Sequence, residues 1–358
     1  MNPQAVFCPN LDCAARGRVG EGTIWVHSRT PPRYRCRVCG KTFGARLGTP
    51  FYRRHTNEAT MTTILTLLAY GCPIAAVVVA FGVQRQTVSD WLDAAGQQCG
   101  AVHQHLVLTP RDLGQVQADE LRVRRQGGVV WLAMAMMVST RLWLGGVASP
   151  RRDGVLIRRL MLLVHAAALP APILLCVDGF AAYVAAFLAI TRTPDVPTGR
   201  RGRPRLRAWA GVVIGQVVKR REGYRVVAVT RRLVYGTEAA LAQLLPVGQQ
   251  IHTAYIERLN ATFRARLGTL TRRTRGLARR TGRLHTGMYL LGTVYNFCTP
   301  HASLAGRQTP AMAAAITDHV WSVGELLHYP VPPLPWELPK RRGRPSKQMQ
   351  QVIARWCQ

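Results

Sequence analysis

Apolar positions recur at three- and four-residue spacing in three successive stretches, residues 61–70, 74–81 and 84–97, which predicts three short helices. Gly71-Cys72-Pro73 separates the first two, and Phe81-Gly82-Val83 the second and third. From residue 110 the pattern changes to alternating strand-like and helix-like runs, as in an α/β domain. Residues 115–123 alternate polar and apolar, 129–138 and 142–147 are apolar strands with Arg141 at their turn, and 153–169 form an amphipathic helix. Residues 172–178 are an apolar run that ends in Asp178 and is followed by Gly179, the pattern of a buried parallel strand. Strand-like 210–218 and 224–230 read as a hairpin insertion behind a basic loop. Farther on, Ile256, Leu259, Phe263, Leu267 and Leu270 recur at helical spacing, with Glu257, Asn260 and Arg264 on an adjacent stripe.

The ends of the chain differ. Residues 1–57 are rich in Cys, Gly, Arg and Pro, with little apolar periodicity, while the tail from 318 turns proline-rich and then basic, which predicts an extended or partly disordered segment. Residues 59–84 carry no charge and match a membrane span in hydropathy, but Gly71-Cys72-Pro73 interrupts them, so two short helices and no membrane are expected.

Charge narrows the partner. Against 48 Lys+Arg stand 17 Asp+Glu, a formal +31, an excess that a polyanion such as nucleic acid relieves. Carboxylates are scarce, so acids that gather in an apolar context draw notice. The nine cysteines include Cys8 and Cys13, then Cys36 and Cys39, two close pairs followed by Gly40. Tetrahedral Zn(II) takes four such thiolates, which predicts a structural zinc ribbon; a cluster of buried thiols is the alternative. An odd cysteine count without a secretory leader points to a reducing, cytoplasmic setting, associated with the nucleoid.

The three predicted helices suit a helix-turn-helix, in which Gln84, Arg85, Gln86 and Thr87 open the third helix and reach base edges; a linking bundle is the bland alternative. Arg201-Gly-Arg203-Pro and Arg342-Gly-Arg344-Pro read equally as minor-groove hooks or as basic loops on phosphates. The acids carry the chemistry. Asp119 on the first strand, Asp178 ending the fourth, and Glu257 with Asn260 and Arg264 on a late helix make an ordered set. Converging carboxylates are what two-metal phosphoryl transfer requires of Mg(II) or Mn(II). Acids that merely pair with arginines are the alternative. Glu120 is the competitor of Asp119, and strand alternation points it to the other face.

Asp119-Glu-Leu, Val177-Asp-Gly-Phe180, Ile256-Glu-Arg-Leu-Asn260 and Tyr295-Asn-Phe-x-x-Pro-His301 together resemble the DDE transposases of bacterial insertion sequences, in a branch with an N-terminal zinc ribbon and helix-turn-helix. The resemblance runs from Cys8 to about Leu327. It implies a zinc ribbon at 1–57, a helix-turn-helix at 58–106, an RNase H-like α/β catalytic domain at 110–317 with a basic insertion around 191–235, and a tail at 318–358. It also implies two Mg(II) or Mn(II) ions at catalytic Asp119, Asp178 and Glu257, zinc at Cys8, Cys13, Cys36 and Cys39, and a homo-oligomer on double-stranded DNA, both terminal inverted repeats and target. Arg122 departs from the aromatic that often follows Asp-Glu-Leu, and the stretch between Asp178 and Glu257 is long. A non-catalytic, sequence-specific DNA-binding regulator, or a decayed transposase, is the alternative function.

Overall fold

The computed structural model describes residues 2–194, 205–246, 248–270, 280–333, 343–344 and 346–356. Two compact units divide the chain, Thr56–Leu327 and, separately, Met1–His55 together with His328–Gln358.

In the smaller unit an antiparallel meander joins β1 (Ile24–Arg29), β2 (Pro32–Cys36) and β3 (Thr42–Gly44). Its buried cluster is Cys8, Cys13, Ala15, Ile24, Tyr34 and Cys36, so half of it is thiol. A core this small rarely holds a fold without a staple.

The larger unit begins with α1 (Glu58–Ala69), α2 (Ile74–Phe81) and α3 (Arg85–Val102). Asn57 caps α1 through its side chain, and Gly82 ends α2 in the left-handed conformation, φ 63°. Met61, Ile64, Leu65, Val77, Val88 and Trp91 are buried among the three helices. Among the described residues no helix is long and apolar enough to cross a membrane, and 59–84 breaks between α1 and α2 as its Gly-Cys-Pro element predicts.

Next comes a meander of β4 (Gln115–Arg125), β5 (Gly128–Met137) and β6 (Trp143–Ser149). Then α4 (Gly154–Ala167) crosses to β7 (Ile173–Asp178), which pairs parallel with β4. After α5 (Ala182–Ile190) and a small ladder of β8 (Arg192–Pro194) and β9 (Leu206–Ala208), β10 (Val212–Glu222) pairs parallel with β7. Its antiparallel partner β11 (Arg225–Tyr235) closes a six-stranded mixed sheet of order β11-β10-β7-β4-β5-β6. The expected hairpin is present as β10 and β11, and its first strand joins the main sheet. The apolar start of β10 is a buried interior strand, with Val213 and Ile214 fully covered beside β7, and only β11 is added at the edge.

Behind α6 (Glu238–Leu244), α7 (Ala254–Arg266) and α8 (Thr281–Cys298) lay their apolar sides on one face of the sheet. Leu121, Leu132, Met134, Trp143, Ile256, Phe263 and Met288 share that core. α3 outruns its predicted end because it packs along α8. Gly96 lets the Thr286 backbone approach, and Thr293 donates to the Cys99 carbonyl at 3.2 Å. β6 is an edge strand, and Asn296 of α8 satisfies it from the side: Trp143 N–H donates to Asn296 Oδ1 at 2.9 Å, and Asn296 Nδ2 donates back to the Trp143 carbonyl at 2.9 Å.

A short α9 (Pro310–Ala313) leads to α10 (Val323–His328), and the start of the tail is corrected. Residues 318–328 are folded, because Trp321 packs on Phe297 with ring centroids 4.7 Å apart and Leu326 and Leu327 are buried. The proline-rich 334–340 lies outside the described residues, and α11 (Lys347–Trp356) follows.

The tightest contact of this core yields a test. A Cβ at Gly292 of α8 would stand 2.3 Å from the Trp143 ring, which is fully buried and cannot yield. Gly292→Ala is expected to destabilise the larger unit by about 1–3 kcal/mol, the usual cost of overpacking. Gly282→Ala, with nothing within 4 Å of its added carbon, is expected to leave stability unchanged or slightly raised. Urea midpoints of the two variants check this.

Candidate functional site

β4 and β7 run side by side with Gln117 opposite Cys176. Two residues farther on, strand periodicity sets Asp119 level with Asp178, the last residue of β7. Gln117, fully buried on the same face as Asp119, docks α7 onto the sheet. Its Oε1 accepts from the Tyr255 and Ile256 amides at 3.1 and 3.0 Å, and its Nε2 donates to the His252 carbonyl at 2.8 Å. Two of the otherwise orphaned N–H groups at a helix start are satisfied in this way. One turn along, Asn260 Nδ2 donates to Asp119 Oδ2 at 2.8 Å. Glu257 sits beside this contact, accepting from Lys219 Nζ of β10 at 2.5 Å and from Thr253 Oγ1 at 2.7 Å.

Glu120 joins the site from the other side. As alternation predicts, it leaves the strand opposite to Asp119, and its side chain is 1% exposed. Yet one carboxylate oxygen from each of Asp119, Glu120 and Asp178 lies within 4.8 Å of the others. Arg152, just ahead of α4, bridges two of them: its Nη2 donates to Glu120 Oε2 at 3.1 Å and to Asp178 Oδ2 at 2.9 Å. The second oxygen of Asp178 accepts from the Phe180 amide at 2.9 Å. Burial pushes the Asp119 carboxyl up to about 6, with Asp178 and Glu257 adding to the rise and the Glu120 amide and Asn260 opposing it. Burial likewise raises Glu120 to about 7, reinforced by Asp178 and opposed by Arg152. Tyr183 of α5, wholly buried among these acids, is raised well above its ordinary value by burial and by their charge.

Of the three expected acids, Asp119 and Asp178 therefore come together with Glu120 as their third. Glu257 is near enough to act on Asp119 but, among the described residues, is outside that tight group. The set is all oxygen, partly dehydrated and open at Asp178, whose side chain is 39% exposed, which fits a hard divalent cation such as Mg(II) or Mn(II).

The thiols form a second centre. Cys8 and Cys39 Sγ are 3.7 Å apart, as are Cys13 and Cys36 Sγ, and all four sulfurs lie within 4.8 Å of one another. A tetrahedron with Zn–S of about 2.3 Å has edges of about 3.8 Å, so the geometry is compatible with structural zinc. Gly17 and Gly40, both with positive φ, turn the two knuckles, and their amides donate to the Cys8 and Cys36 carbonyls at 3.2 and 3.0 Å. Burial raises the thiols of Cys8 and Cys13. For Cys39 burial is outweighed by the Lys41 amide and neighbouring thiols, which bring it down to about 7, so a first thiolate is available near neutral pH.

Gln84, Arg85 and Gln86 are exposed at the start of α3, and Thr87 is half-buried. Asp93 turns away from that end toward α8, accepting from Thr286 Oγ1 at 3.0 Å and pairing with Arg283, while Gln86 Nε2 donates to Asp90 at 2.7 Å. Arg264 is half-buried on α7 and Arg344 is exposed; Arg201, Arg203 and Arg342 lie outside the described residues. His252 accepts at Nδ1 from the Ala254 amide at 3.3 Å and is lowered by burial, then by Arg141 and Arg231.

Sequence reasoning missed Arg152 and Lys219 and set Glu120 aside. The only cue to Arg152 was its place before Asp153, the N-cap of α4, at the end of the sheet where Asp178 lies. No protein-family model matches the chain, and none of the curated proteins matches it.

Zinc binding has a direct check. The purified chain is expected to hold one zinc per molecule, and Cys36→Ser is expected to lose most of it. Chelation should unfold the smaller unit and leave the cooperative unfolding of the larger one in place. Metal content with circular dichroism before and after chelation measures both.

Proposed function

We propose that this chain is a DNA transposase of the DDE type, which cuts and joins DNA strands with divalent ions at Asp119, Asp178 and Glu257. One observation carries the reading: Asp119 and Asp178, on adjacent parallel strands, bring carboxylate oxygens within 4.8 Å of each other, with the helix of Glu257 pinned to Asp119 through Asn260. The strand order supports it, since an antiparallel meander followed by parallel strands on the far side of its first strand is the arrangement expected of an RNase H-like sheet. The basic charge of +31 supports a DNA substrate. The exposed Gln84, Arg85 and Gln86 at the start of α3 support base contacts by a helix-turn-helix built from α2 and α3. The thiol centre and this module would read the terminal inverted repeats.

In this reading Asp119 and Asp178 would hold a divalent ion, and Glu257 would complete the site from α7. The ions supply activation of the attacking oxygen and stabilisation of the leaving oxygen. Asn260 would hold the Asp119 carboxylate in place through its bond to Oδ2. The dehydrated walls around Glu120 and Tyr183 strengthen each charge interaction inside. One observation favours a non-catalytic regulator: Arg152 and Lys219 already pair with Asp178 and Glu257.

The experiment that separates the two is metal-dependent cleavage and strand joining on the DNA that flanks this gene. Asp178→Ala is expected to lower the rate by roughly a thousandfold or more while binding of the same DNA is kept. Full activity in that variant would overturn the assignment, and a wild-type chain that binds but never cuts would leave the regulator.

Metal affinity is expected to depend on pH. Asp119 and Glu120 are both raised, so the folded metal-free chain keeps their protons up to about pH 6 and 7. The stability that these neutral carboxyls lend is present at low pH and is lost as pH rises through those values. A cation must displace the protons, so Mn(II) binding should weaken as pH falls from 7.5 to 5.5. Calorimetric titrations across that range should show it, and Asp119→Asn should flatten the dependence.

A further inference from the structure

Arg152 is an odd residue to find in an acidic cluster meant for cations. Its guanidinium is fixed by one nitrogen alone, Nη2, which donates to Glu120 and Asp178 at 3.1 and 2.9 Å. Two aromatic rings lie within cation–π reach, with the guanidinium carbon 4.4 Å from the Phe180 centroid and 5.4 Å from that of Trp131. Nε and Nη1 make no hydrogen bond to any described residue, and a third of the side chain is exposed beside Asp178. Glu120 has the opposite character. It is buried, it lies on the sheet face away from α7, and Oε2 spends its bond on Arg152.

We propose that Arg152 is a catalytic residue that anchors a phosphodiester of the DNA strand beside Asp178, and that Glu120 is the positioning residue that holds it there. The proposal rests on the transposase reading. A guanidinium presents its donors as a rigid planar fork, which suits two oxygens of one phosphate. Here one nitrogen of that fork is spent on the carboxylates, which leaves Nε and Nη1 to donate to a phosphate of a strand held beside Asp178. Because the guanidinium is already bridged and flanked by rings, little side-chain entropy remains to be lost when the phosphate arrives. A lysine at this position would keep the charge and lose the fork. Had the residue served only to neutralise Asp178, an exposed cation would have sufficed, with neither the neighbouring rings nor a buried carboxylate behind it.

The test uses the full chain and a duplex carrying the DNA that flanks its gene, with Ca(II) present so that binding is read without cleavage. Single methylphosphonates, which remove one phosphate charge, are placed in turn at the phosphates around the cut. One position is expected to weaken binding by wild-type protein roughly tenfold or more, the worth of a charge-assisted bond. The same substitution should cost Arg152→Ala nothing further, and Arg152→Lys should recover part of the loss. Because Arg152→Ala strands Glu120 as a buried lone carboxylate, Glu120→Gln with Arg152→Ala serves as the folding-safe partner and should behave alike. Equal sensitivity to every methylphosphonate in wild type and variants would overturn the proposal. So would tighter Mn(II) binding by the double variant with unchanged methylphosphonate sensitivity, since Arg152 would then only hold the place of a cation. Failure of the transposase reading is separate: wild-type protein would neither bind this DNA selectively nor cut it in Mn(II), and Asp178→Ala would change nothing.

Discussion

Carboxylates gathered within 4.8 Å of one another at the end of a buried strand repel, and the arrangement around β7 is the answer to that repulsion. Each acid has a compensating partner, and Arg152 serves two of them. Asp119 takes an amide from α7, Asp178 takes the Phe180 amide and Arg152, Glu120 takes Arg152, and Glu257 takes Lys219 from β10. In a low-dielectric setting each partner is worth more than it would be in water, and none is enough alone, since Asp119 and Glu120 remain raised. A divalent cation would relieve the strain that these neutral and singly charged partners leave.

The same residue that organises the fold also sets the site. Gln117 is fully buried in mid-strand, an expensive place for an amide unless its atoms are satisfied. It is satisfied by the first turn of α7 and by the His252 carbonyl, so the docking of the helix is specified by hydrogen bonds as well as by Ile256, Leu259 and Phe263. Asn260 repeats the device one turn on. An apolar face alone could slide along the sheet; two buried amides that each need a stated partner fix the register of α7, and with it the height of Glu257.

Much of this was legible in the chain. The alternation of 115–123, the apolar run ending at Asp178 and the helical stripe of Glu257 and Asn260 each rest on a single local periodicity, and each stands where that periodicity puts it. The close cysteine pairs were legible for the same reason, since short loops confine their thiols. What was not legible depends on contacts far apart in sequence. Alternation correctly turned Glu120 to the other face but could not show that the sheet opens past the end of β7, where side chains from both faces of β4 approach one gap. The pairing of Val213 with Leu174 made β10 an interior strand, although its basic, exposed second half read as an insertion. Arg152 was one arginine among many in a chain of 48 Lys+Arg, and only the bridge to Glu120 sets it apart.

That abundance bears on how the site is to be understood. In a chain this basic, an arginine close to an acid is unremarkable, and most surface pairs contribute little. Lys219 and Glu257 are about a third and a half exposed, so water screens them and the pair can open at little cost. Arg152 differs because Glu120 is buried: breaking that pair would leave an uncompensated charge inside the protein. The two basic partners are therefore unequal. Lys219 can part from Glu257 at little cost, whereas Arg152 is bound to stay by Glu120 and must share Asp178 with whatever binds there. A site that keeps a fixed positive charge beside a carboxylate open to solvent is suited to a ligand that brings its own negative charge.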